Sequence, residues 1–111
     1  MSTNKKLAKI KSAKLTSRGG YQEAMLGFQF EFSGKGWGIG DFWGFWGIER
    51  SEYCKWSEED RTKYFGETMM RINNILKDAN VSSLDQLEGI PVEITTENMT
   101  LKEWRILKEV L

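Results

Sequence analysis

The residues with the strongest claim to chemistry lie between Ser33 and Gly47, where the chain reads SGKGWGIGDFWGFWG. This stretch holds six of the eleven glycines and three of the five tryptophans. Glycine weakens a strand, so such a density marks a bend or a close approach by another group. Two readings fit. In one, Trp37, Trp43 and Trp46 are core rings that fill the gaps above neighbouring glycines. In the other they form a platform on which a planar ligand stacks, each stacked ring contributing about 1–3 kcal/mol. Asp41 is the lone carboxylate of the segment, and burying it is costly without a partner. It either pairs with a cation such as Arg50 or Lys55, or accepts hydrogen bonds from a ligand. The glycines match neither GxGxxG nor GxxxxGK[ST], so no phosphate loop is written here.

Other candidates are scattered. Tyr21 and Gln22 follow a Gly-Gly turn and could offer a phenol and an amide to the same ligand. Lys35, Lys55 and Arg105 could meet a phosphate. Catalysis is expected to be absent. The chain has no histidine, the commonest general base near neutral pH. Its single cysteine, Cys54, therefore lacks the usual activating partner. The same two counts leave a metal site with carboxylates alone, so no metal and no cofactor are expected. Glu58 and Glu59 belong to a helix start and not to a carboxylate pair across a cleft.

These side chains need elements to hold them. At 111 residues, 40% hydrophobic and 13% aromatic, the chain suits one domain with a real core. Sixteen basic and sixteen acidic residues balance to zero, which argues against non-specific nucleic-acid binding. Without an apolar leader or membrane span, a cytoplasmic protein is the simplest expectation.

Residues 1–6 read as a disordered start, and 7–111 as a single α+β domain. Leu7 to Leu15 alternates apolar residues with lysines, as on a charge-guarded edge strand. Leu26, Phe28, Phe30 and Phe32 keep a period of two. Trp37 to Ile48 is apolar at both parities, so cover is expected on both faces. Ser57 is a helix N-cap with Glu58, Glu59 and Asp60 behind it, and Trp56 is placed to staple the helix start. Phe65, Met69, Ile72, Leu76 and Ala79 form a helical stripe ending near Asn80. A short turn through Leu87, a strand from Pro91 to Thr95 and a hairpin strand around Trp104 complete the chain. A helix over 100–111 is the alternative, since Thr100-x-x-Glu103 is a capping-box pattern. The whole reads β-β-β-α-β-β: a five-stranded, mainly antiparallel sheet with one main helix packed on one face. Nothing else is long enough to cover the second aromatic face, which points to a twin subunit, a host protein or a ligand.

Gly19-Gly20-Tyr21-Gln22, GWGIGDFWGFW at 36–46, CKWSEEDR at 54–61 and TLKEWRILKEVL at 100–111 resemble a family of small uncharacterised proteins encoded by bacteriophages and prophages. That resemblance spans nearly the whole chain from about Lys9. It implies a small accessory protein of a mobile element, working in the host cytoplasm. Phage proteins of this size often counter host defences, by sequestering a nucleotide-like signal or by blocking a defence protein. The expected reading is a non-enzymatic, homo-oligomeric binding protein.

Overall fold

A computed structural model describes residues 3–19, 24–47 and 57–111, with the backbone alone at 18–19, 24–25 and 44–47. Strands β1 (Thr3–Gly19), β2 (Ala24–Gly34) and β3 (Trp37–Gly47) precede helix α1 (Glu58–Ala79); β4 (Pro91–Glu97) and β5 (Thr100–Ile106) follow it. They form one antiparallel five-stranded sheet in the order β3-β2-β1-β4-β5. None of the described helices is long and apolar enough to cross a membrane.

Two expectations need correction. Thr3 to Lys6, expected to be disordered, pairs with Ile94 to Glu97 of β4. β1 is the central strand and not an edge. Its lysines alternate by face: Ala8 and Ile10 are buried, while Lys9 and Lys14 stand on the solvent side. Alternation therefore reported the two faces of a half-buried strand and said nothing of its neighbours. β3 presents one of its parities to the interior. Trp37, Ile39, Asp41 and Trp43 pair with Gly34, Phe32, Phe30 and Phe28, so this parity turns toward the helix. The opposite parity carries Gly38, Gly40 and Phe42, and Phe42 is 48% exposed. A register shift separates Phe28↔Trp43 from Leu26↔Trp46. β3 carries one extra residue there, and Trp46 and Ile48 of the expected second aromatic face have side chains outside the described residues. That outer face is mainly polar, with Gln29, Glu31, Glu93 and Arg105 among its side chains.

Local chemistry sets the element ends. Ser57 Oγ accepts from the Asp60 N–H at 3.1 Å, and the Ser57 N–H donates to Asp60 Oδ2 at 3.3 Å, a complete capping box. Asn80 ends α1 in the left-handed region at φ 57°. Asn98 and Met99 turn β4 into β5 with φ of 53° and 65°. Two consecutive positive values suit the twist of a tight hairpin. This hairpin settles 100–106 as strand; the capping-box pattern at Thr100 goes unused.

β1 joins two half-sheets. Its first part, to Lys9, pairs with β4, and its remainder, from Lys9, pairs with β2. A bulge between Ile10 and Ser12 lies beside the changeover. The bend carries the halves toward each other, so that Trp104 of β5 touches Asp41 of β3. Phe30, Phe32, Ile10, Leu87, Val92 and Ile94 are fully enclosed in the fold of that bend. Burying side chains of this size contributes about 1.5–3 kcal/mol each.

Candidate functional site

Asp41 of β3 is a partly buried node that links β5 and α1. Its Oδ2 accepts from Trp104 Nε1 at 2.8 Å and from an Arg71 guanidinium N–H at 2.9 Å. The expected cation partners, Arg50 and Lys55, lie outside the described residues; the cation observed is Arg71, from the second half of α1. The guanidinium also lies 3.9 Å from the centre of the Trp43 ring, a cation–π contact. Trp43 packs on Phe30 at 4.7 Å and Phe28 at 5.9 Å between centroids, and Trp104 packs on Phe32 at 4.8 Å. Trp43 is buried, so as placed it is a core ring and not a platform for a ligand. Its Nε1 has no acceptor among the described residues.

The remaining candidates are dispersed. Trp37 is half-buried with its indole lying on Gly34, and the Lys6 ammonium sits 5.1 Å from that ring. A Cβ at Gly34 would fall inside the indole, which gives this glycine a steric reason. Lys35 is exposed in the β2–β3 turn. Arg105 is occupied: its guanidinium bonds Glu93 at 3.2 Å and both Glu109 oxygens at 3.0 Å. These carboxylates raise the arginine pKa still further, and the guanidinium in turn lowers that of Glu109. Tyr21, Gln22, Lys55 and Cys54 lie outside the described residues, as does the Trp56 staple. So does the Trp46 side chain. The structure therefore brings Asp41 and Trp43 together, and leaves Trp37, Lys35 and Arg105 apart from them.

Sequence reasoning missed an apolar cleft beside α1. The periodic stripe names Phe65, Met69, Ile72, Leu76 and Ala79, but the buried face is Thr68, Ile72, Ile75 and Ala79. Where α1 meets β3, Arg71 bonds Asp41 and lies over the Trp43 ring. Phe65 and Leu76 are left half-buried, and Met69 is 60% exposed. They face Leu15 of β1 and Leu26 and Phe28 of β2 across a cleft of about 520 Å³. Ser82 and Ser83 close one end, and their polar groups are already used. Both N–H groups and Ser82 Oγ donate to Gln86 Oε1, while Ser83 Oγ bonds Asp85. No ionisable group lines the cleft among the described residues. Its volume lies in the range of small-molecule sites, about 300–1,000 Å³. The signal in the sequence was the stripe itself, which is wider than the face that the sheet covers.

No family model, no curated protein and no solved structure matches the chain.

Proposed function

We propose that this protein is a non-enzymatic binding module that captures its cargo in the cleft between α1 and the β1–β2 hairpin. The observation that carries the reading is an open apolar cleft rimmed by exposed Leu15, Leu26 and Met69. Large apolar side chains clustered at a concave mouth are the usual mark of a ligand or partner site. Met69 adds an adaptable thioether that can fit more than one shape. A planar, base-like ring suits such walls, and the polar part of a nucleotide-like cargo would remain outside. Sequestration of that kind agrees with the accessory, counter-defence role that the phage resemblance implies.

A blocking inhibitor of a host defence protein is the second reading. It is favoured by the same three rim residues, which could enclose one apolar anchor of a partner. Native mass spectrometry of the protein purified from its host, with Leu26→Glu and Met69→Glu beside it, separates the two. Retained mass in the nucleotide range, lost in both variants without a change in melting temperature, supports capture. A stoichiometric protein complex lost in both variants supports blocking. Bound material that persists in both folded variants places the site elsewhere and defeats the cleft reading.

A further inference from the structure

A second concavity, remote in register from the α1 cleft, forms where β2 stops and β1 continues. Pairing between β1 and β2 begins at Lys9↔Ser33, so among the described residues no strand flanks Thr3 to Ala8 on that side. The notch measures about 550 Å³ and is floored by Leu7, Pro91, Leu107 and Val110. Its apolar groups are open to solvent: Leu7 is 72% exposed, Val110 64% and the adjacent Leu111 56%. Lys9 and Lys35 stand on its rim, both exposed, and neither has an ion-pair partner among the described residues. Glu93, cross-strand partner of Leu7, and Glu109 are both paired with Arg105 and with neither lysine. The notch thus joins an apolar floor to two exposed ammonium groups that form no ion pair among the described residues, whereas no ionisable group lines the α1 cleft.

We infer that this notch binds a small amphipathic anion: an apolar body lying on Leu7, Pro91 and Val110, with a carboxylate or phosphate held between Lys9 and Lys35. Two solvent-facing ion contacts add orientation and modest affinity, and they weaken with salt. The inference does not depend on what the α1 cleft captures.

The test uses the full chain, dodecanoate as the anionic probe and dodecanol as its uncharged counterpart, read by calorimetry at low and high salt. Dodecanoate is expected to bind more tightly than dodecanol at low salt and to lose that advantage at high salt. The double variant Lys9→Gln/Lys35→Gln should weaken dodecanoate by about tenfold and leave dodecanol unchanged. Leu7→Ser should weaken both. Met69→Glu, in the other cleft, should affect neither. Equal binding of the two probes, an unaltered dodecanoate affinity in the lysine variant, or loss in Met69→Glu would each overturn the assignment. So would binding to anionic lipid vesicles without binding to free dodecanoate, which would point to a membrane surface. Lys9 and Lys35 are exposed, so their replacement leaves the core intact and the outcome readable.

Discussion

Removing the Asp41 carboxylate probes the tie between the two half-sheets and the helix. In Asp41→Ala, Trp104 Nε1 loses its acceptor at 2.8 Å in a half-buried setting, and Arg71 loses its ion pair at 2.9 Å. A hydrogen bond to a charged group is worth about 1.5–3 kcal/mol. The Arg71 side chain is 45% exposed, so its pair adds only about 0–1 kcal/mol after solvent screening. The expected loss is therefore about 2–3 kcal/mol, or a fall in Tm of roughly 10 °C for a domain of this size. Asp41→Asn keeps a carbonyl oxygen for the indole N–H and gives up the charge, so it should cost about 1 kcal/mol. Arg71→Met should cost a similar amount, since the stem still covers Trp43 while the cation–π contact is lost. Urea denaturation of the three variants, with the Asp41→Asn/Arg71→Met double variant closing the cycle, measures each step. If Asp41→Ala falls within about 0.5 kcal/mol of the parent, the carboxylate is not structural and the reasoning fails. Loss of cargo in a fully stable Asp41→Ala would return this residue to the ligand-binding role that its position in the sequence suggested.

Three further outcomes follow from the same geometry. Trp43→Phe should cost no more than about 1 kcal/mol, because the lost ring area is offset by removing a buried N–H without an acceptor; Trp43→Ala should cost about 3–5 kcal/mol, and equal losses in thermal melts would refute this. Met99→Gly should stabilise the β4–β5 hairpin by about 1 kcal/mol, because Met99 is 95% exposed and sits at φ 65°; chemical denaturation checks it. The Arg105–Glu109 pair should secure the C-terminal turn at neutral pH, with a modest effect because both groups are exposed. Glu109 keeps its charge to lower pH folded than unfolded, so the contribution is present above the ordinary carboxylate range and fades as pH falls through the lowered value; amide exchange over 107–111 should accelerate at low pH in the parent and be already fast in Arg105→Ala.

Strand and helix periods in this chain fixed the element types because they report local burial. Phe28, Phe30 and Phe32 are buried at the period-two positions where the sequence placed them, and Ser57 caps α1 because its hydroxyl reaches an N–H three residues away. Tertiary structure decided what depends on distant partners. Lysine alternation in β1 looks the same on an edge as in the centre, and only the pairing with β4 separates the two cases. The extra residue between Trp43 and Trp46 breaks the simple register that alternation assumes. Arg71, thirty residues from Asp41 in sequence, meets it only in the fold, and the face that α1 buries differs from the stripe written in its residues. A cleft and a notch followed, because side chains selected by local period were left facing space that the global packing did not fill.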